Sequence, residues 1–546
     1  MSTATENRGN VEKALRDEIE DLQNLVRRQQ KLIQEQLGTI EQLEQQVKKQ
    51  QERIAQLEEE LREQKKLQGR PKIRASQLNT PKTNPEKDGK RAGSAKKSKK
   101  AGFQIDEEKI IQPEEIPVNA KFNGYRDYDV QELKIERHNI RFRLAEYVTE
   151  EGKTIVGQLP PEYRHGHYGP ELVGYILYQH YQCRVPQTLI GEQIEEWGID
   201  ISTGQINQIL TENKEVFHTE QKEVLAAGLE TASFVHTDDT GARHQGKNGY
   251  CTVIGNQWFA YFRSSQSKSR QNFLQTLQGD NPIYVLNEYA RSYLQSDNLA
   301  AKHWEKLQFS ESVLAREESQ WSSYLESKGI LTSKARRLVS EAALLGGAIT
   351  KGVSEDLRIL SDGAGQFNVL VHALCWVHAE RALRRLSGYT SQQRQNIEEM
   401  QQLLWDYYRQ LQTYPENPTV ENKRQLEEGF DTVFGRCYLH HSSLNQVLVG
   451  FRERKPQLLE LLHCPQLPLH NNAAESDIRE YVTRRKISGG TRSEAGRQAR
   501  DTFVGLKKTC RKLGISFWHF LLSRLRGDGQ VPPLPDVIRA KALAVT

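Results

Sequence analysis

Cysteine is scarce in this chain: six in 546 residues, at 183, 251, 375, 437, 464 and 510, with no regular spacing. That pattern excludes a disulfide framework and fits a reducing compartment. No apolar run approaches the roughly 18 residues of a membrane span, and residues 1–15 lack the apolar centre of a secretion signal. The expectation is a cytoplasmic protein with no membrane partner. A strong overall charge is missing too, since the formal net charge is only +5; where the charges lie matters more than their sum. At this length a single core is excluded, and two or three domains are expected.

What the N-terminus does have is a heptad. Ile19, Val26, Ile33, Ile40, Val47, Ile54 and Leu61 form one seam, and Leu15, Leu22, Gln29, Gln36, Leu43, Gln50 and Leu57 the other. β-Branched residues on one seam with leucine on the other favour a parallel two-stranded coiled coil. Residues 1–68 are therefore predicted to oligomerise, as a homodimer or higher oligomer through 15–61. A solitary charged helix is the plainer reading. Residues 69–120 follow as a basic tether, with eleven cationic residues against Glu86 and Asp88 in its first 33 positions. Such a segment attracts a phosphate backbone without reading sequence, or serves only as a linker.

Between 121 and 164 polar and apolar residues alternate around "HN" and "EEGK", which predicts a small β module. His165 and His167 stand close together but lack the further ligands a metal needs. Residues 165–230 read as helices. Leu189, Ile190, Ile194 and Trp197 supply an apolar face, and "GIDIST" leads to a helix that Ser202 or Thr203 caps. Two helices about such a turn suit either DNA reading, in the manner of a helix-turn-helix, or plain packing.

Three acids lie far apart in sequence. Asp238 ends the strand-like "TASFVHTDDTGA", with Asp239 as fallback because consecutive strand residues face opposite ways. Asp362 ends "LRILSDGAG", where Gly363 and Gly365 leave room for a phosphate. Glu475 opens a helix in "HNNAAESDIREYVTRRK". Some 124 residues separate the first two and 113 the second pair, so folding must assemble any shared site. Three such carboxylates suit two magnesium ions, with manganese as a substitute, acting on a phosphodiester. The plainer readings are strand ends, a capping box between Asn472 and Glu475, and a Glu475–Arg479 helical ion pair.

Arg479, Arg484, Arg485, Lys486, Arg492, Arg497, Arg500, Lys507, Lys508, Arg511 and Lys512 crowd the same region. They are expected to bind nucleic acid, or to be a solvated helical face. Two C-x-x-H pairs, Cys375/His378 and Cys437/His440, would make a structural zinc site only if the fold joined them. The material from 391 to 465 reads as a helical insertion.

The stretches "YGPELVGYILYQH", "ISTGQI", "HTDDTGA", "LSDGAGQF", "CWVHAERALRRL" and "NNAAESDIREYVTRRKISGG", continuing through "DTFVGLKKTCRKLGISFWHFLL", resemble the IS66-family transposases, which are DDE transposases. The resemblance implies an α/β catalytic core, a ribonuclease H-like mixed sheet flanked by helices. That core would be split between 231–390 and 466–546, beside the coiled coil and the small β and helical DNA-binding modules. It implies Asp238, Asp362 and Glu475 as catalytic metal ligands and double-stranded DNA, both element ends and target, as partner. The chain departs from the family pattern at Asp239, where glutamate is usual, at His470 for aspartate and at Ser476 for arginine. The cysteine-rich segment of many relatives is missing from 69–160. The expected function is DNA cleavage at element ends and joining of the 3′-hydroxyls to a target. The alternatives are a non-catalytic DNA-binding scaffold, or a nuclease without strand transfer.

Overall fold

The computed structural model describes residues 105–544 except 118, 165 and 298, together with 22–38 and the isolated positions 19, 40, 42, 45, 46 and 50. Contacts divide the chain into Met1–Tyr128 and Asp129–Thr546. In the first unit residues 22–38 are helical, and Leu22, Val26 and Ile33 of the heptad seam are exposed. Gln29 and Gln36 of the second seam, Ile19, Ile40 and Gln50 are exposed as well; the other heptad positions and the basic stretch 69–101 lie outside the described residues.

In the second unit, the alternating stretch yields one short hairpin, β1 (Glu146–Val148) against β2 (Thr154–Val156). Four helices follow: α1 (Pro170–Tyr181), α2 (Gln187–Glu196), α3 (Thr203–Thr211) and α4 (Glu215–Glu230). Proline suits the first turn of α1, where its missing N–H has no partner to lose. Ser202 caps α3 in a reciprocal box with Gln205. Ile190 and Ile194 are buried, but Leu189 faces outward, so the apolar face of α2 is narrower than the sequence suggests.

The central sheet has five strands: β3 (Phe234–His244), β4 (Lys247–Gly255), β5 (Ala260–Ser265), β8 (Arg358–Ser361) and β9 (Val371–Leu374). Their order is β5-β4-β3-β8-β9. The first three pair antiparallel, and β8 joins β3 and β9 in parallel. β3 is longer than its apolar start implies. It runs on to a two-residue turn, where Gln245 (φ 49°) and Gly246 (φ 76°) adopt the positive φ that a tight hairpin of this hand requires.

Between β5 and β8 lies α5 (Arg270–Leu277), then β6 (Tyr284–Val285) paired with β7 (Val313–Ala315), and α6 (Ser333–Thr350), which is largely buried. After β9 comes α7 (Trp376–Arg384). The helices Ser391–Thr413, Val420–Phe434 and Ser442–Glu453 build a separate apolar cluster around Trp376, Tyr407, Phe430 and Phe434. α8 (Asn472–Ser488) then returns to the sheet, where Ala474, Ile478 and Tyr481 pack on Ala242, Cys251, Val253 and Phe262. α9 (Glu494–Leu513) lies beside it. The result is a mixed sheet flanked by helices. No helix among the described residues is long and apolar enough to cross a membrane.

Candidate active site

β3 pairs with β8 only as far as His236, so Asp238 emerges just where the parallel ladder stops. Its cross-strand partner is Val253, on the face covered by α8. Asp239 points the opposite way. Its carboxylate accepts a hydrogen bond from Gln366 Nε2 at 2.6 Å and lies 3.9 Å from Lys268 Nζ.

Asp362 follows the last residue of β8 and is exposed. Its Oδ1 accepts the N–H of Ala364 at 2.9 Å, which curls the chain back on itself. Four contacts fix the loop. Ser361 Oγ accepts the Gly363 N–H and bonds His372 Nε2 at 2.8 Å. Gln366 ties the loop to β3, and Arg270 Nη2 donates to the Gly365 carbonyl at 2.9 Å. Arg270 is held in turn by the hydroxyl of Tyr293, which donates to the buried Glu341 of α6.

Glu475 sits in the first turn of α8. The buried Asn471 sets that turn: its side-chain N–H donates to the Thr237 carbonyl, its backbone N–H reaches Cys375 Sγ, and its carbonyl accepts the Glu475 N–H. Neither plainer reading of Glu475 forms. The helix cap is Asn471 with no side-chain cap bond, and the Glu475 carboxylate turns to α7 instead. There Arg381 Nη2 lies at 3.4 Å and His378 Nε2 at 3.7 Å. Arg381 also donates to that imidazole at 2.7 Å.

The three acids share one electrostatic neighbourhood. Burial pushes the Asp238 carboxyl up to about 7, and repulsion from Asp362, Asp239 and Glu475 adds to the rise. Oxygen-only donors whose charges repel suit a hard divalent cation. They are not drawn together at ligand distance: among the described residues no three His, Cys, Asp or Glu side chains are grouped to hold a metal ion. Glu475 would have to exchange Arg381 for the cation. Nor is there a zinc cluster among the described residues; Cys375 is buried, while Cys437 is exposed.

The cations divide into two sets. Arg484 is buried; it donates to the His180 carbonyl, and its guanidinium lies 4.9 Å from the centre of the Tyr181 ring. Lys507 and Arg184 both bond Glu480, at 2.7 and 2.6 Å. Lys508 and Lys512 reach the buried Asp477, at 3.4 and 2.6 Å, and Arg500 donates to the Gly489 carbonyl. Against burial, the hydrogen bond of His236 and the charge of Lys512 hold the Asp477 carboxyl down at about 2, and the bonds and charge of Arg184 and Lys507 do the same for Glu480. Arg484, Lys507 and Lys508 thus fasten α8 to its neighbours rather than face a ligand. Arg497 pairs with Glu494. Arg479, Lys486, Arg492 and Arg511 are exposed, Arg485 is half-buried, and among the described residues no ion pair holds any of the five. Sequence reasoning missed Arg184, Asp477, Glu480, Gln366 and Arg270. Only Asp477 and Glu480 left a local trace, as acids amid cations on one helix.

Comparison with known proteins agrees with this architecture. The model of the family described as "Transposase IS66 family" matches residues 165–306 and 348–499. The uncharacterized protein y4jO of Sinorhizobium fredii (strain NBRC 101917 / NGR234) is 41% identical over 322 residues, which is 58% of this chain and 100% of that protein. The matched segments contain β3, β8, β9 and all of α8, with Asp238, Asp362 and Glu475 among them. By these matches the chain belongs to the IS66 transposase family.

Proposed function

We propose that the chain is a DDE transposase that cuts phosphodiester bonds at the ends of an insertion element and joins the freed 3′-hydroxyls to target DNA. Family membership supports DNA transposase or nuclease chemistry in general. One observation carries the residue assignment. Asn471 fixes the first turn of α8, with Glu475, to the Thr237 carbonyl beside Asp238, and Gln366 fixes the Asp362 loop to Asp239, so all three acids are anchored to one stretch of β3. The mixed sheet flanked by helices supports the ribonuclease H-like reading.

In this reading Asp238, Asp362 and Glu475 hold magnesium ions, which when bound would activate the attacking oxygen and stabilise the leaving one. Asp238, whose carboxyl burial raises to about 7, would hold a metal only as the carboxylate. Gln366 and Arg270 keep the Asp362 loop against β3, and Asn471 keeps the first turn of α8 there. Arg381 neutralises Glu475, and that carboxylate would have to give up the contact to hold a cation. The exposed heptad seam supports self-association that would bring two element ends together.

The test is incubation of the purified protein with labelled element-end DNA and a target plasmid in Mg²⁺ or Mn²⁺, beside Asp362→Ala and Glu475→Ala. Metal-dependent 3′-hydroxyl ends and joined products, absent from both variants, are expected. Cut ends without joining would reduce the reading to a nuclease. DNA binding without nicking by folded protein would overturn it in favour of a scaffold.

A further inference from the structure

The hairpin of β3 and β4 continues well past the carboxylates, and its outer part has no role in holding them. Strand alternation puts Asp239, Gly241 and Arg243 on one face, with their partners Thr252, Tyr250 and Asn248. Lys268 stands on that face, 3.9 Å from Asp239 and 5.7 Å from the centre of the Tyr250 ring. Beyond Asp238 the other edge of β3 carries no strand among the described residues until Thr491 bridges His244. There Arg485 of α8 reaches Gly241, where an added Cβ would stand only 3.1 Å from its Nη1. Lys268, Arg485 and Arg243 therefore follow one another outward along the strand. From Asp239 to Arg243 is about 13 Å at the usual rise per strand residue, about the axial rise of four base steps of B-DNA.

Two features mark this row as built to meet an anion. No acid pairs with Arg243 or Arg485 among the described residues, although Arg184, Lys507, Lys508 and Lys512 nearby all have acidic partners. The row is also rigidly mounted. Thr491 donates its N–H to the Arg243 carbonyl at 2.9 Å, and Gln245 donates to the Thr491 carbonyl at 2.8 Å. Gly490 packs so close that a Cβ there would meet the Arg243 carbonyl oxygen at 2.4 Å. The loop making these contacts follows α8 directly, so the row is fixed to the helix that carries Glu475.

We infer that this face of the hairpin is a track for the phosphodiester backbone of one DNA strand, leading outward from Asp239 along the open edge of β3, with Arg243 and Arg485 as its phosphate contacts. The inference rests on the proposed DNA chemistry and adds the path the strand takes.

Fluorescence anisotropy of full-length protein on an element-end duplex and a random duplex, across a potassium chloride series, tests it. Each phosphate contact adds about 0.9 to the slope of log affinity against log salt. R243A/R485A is expected to bind both duplexes more weakly, with a slope smaller by about two, and R243K/R485K is expected to keep the wild-type slope. Arg409→Ala, on the 391–413 helix, should leave binding unchanged. Equal slopes for wild type and R243A/R485A would overturn the track, as would loss of binding in the folded lysine variant, which would mean a structural role. If the wild-type protein binds neither duplex, the DNA reading itself falls, and the track with it.

Discussion

The side-chain amide of Asn471 donates to the backbone carbonyl of Thr237 at 2.8 Å, across 234 residues of sequence. Thr237 precedes Asp238, and the carbonyl of Asn471 accepts the N–H of Glu475. One buried amide therefore sets the spacing between two of the three acids.

Asn471→Ala leaves the Thr237 carbonyl without its side-chain donor. A loss of about 1–3 kcal/mol in stability is expected, the cost of an unsatisfied buried polar group. Cleavage should fall further than the shift in urea midpoint accounts for, because Glu475 loses its reference to β3. An unaltered cleavage rate in the folded variant would contradict this role.

Glu480→Gln removes the acid that Lys507 and Arg184 share, and should cost about 3 kcal/mol, as expected when one member of a buried ion pair is lost. Both Asp477 and Glu480 have folded pKa values held down at about 2. A depressed acid stabilises the fold above its unfolded value and loses that contribution as pH falls toward the folded one. Wild-type stability should thus drop between about pH 4 and pH 2, and Glu480→Gln should flatten part of that drop in denaturant titrations.

Asp238 runs the other way. Its folded value is raised to about 7, so the folded state holds this proton more tightly than the unfolded chain. Without a divalent cation, its contribution to stability should decline as pH rises from about 4 to about 7. Binding a cation expels the proton. Mn²⁺ affinity, read by calorimetry, should therefore rise about tenfold per pH unit below 7 and level off above it. Asp238→Asn should abolish the rise.

Arg381 competes with any cation for Glu475, whose Oε1 is 3.4 Å from its Nη2. Arg381→Gln should free that carboxylate and lower the half-saturating Mn²⁺ concentration several-fold, on the order of 1 kcal/mol for a partly exposed pair. Paramagnetic resonance of the bound ion would show it; weaker binding would mean that Arg381 organises the site instead.

Asp362 was legible as a strand ending because it follows a short aliphatic run, and strand endings are local events; Asp238 was expected at a strand ending too, but β3 runs on past it to His244. Glu475 was legible as an acid at a helix start, but its true partners were not, since Arg381 lies 94 residues away. Cationic density misled for Arg484, Lys507 and Lys508: nothing local says which cations meet acids inside the fold, and Arg184 reaches Glu480 across 296 residues. The extension of β3 through "TGARHQGKNGY" was hidden because its polar and glycine residues break the apolar alternation that identifies a strand. The buried helix α6 carries no motif, so its place beside the sheet could not be foreseen.

The Tyr293–Glu341 contact behind Arg270 crosses the edge of the family match. Glu341 lies within 307–347, which the family model does not cover, yet it steadies the arginine that holds the Gly365 carbonyl in the Asp362 loop. Sequence kinship and mechanical dependence follow different borders here. A chimera that imported only the matched segments from a relative would inherit the three acids and lose the brace behind one of them. Domain exchange within this family should therefore treat 307–347 as part of the catalytic body.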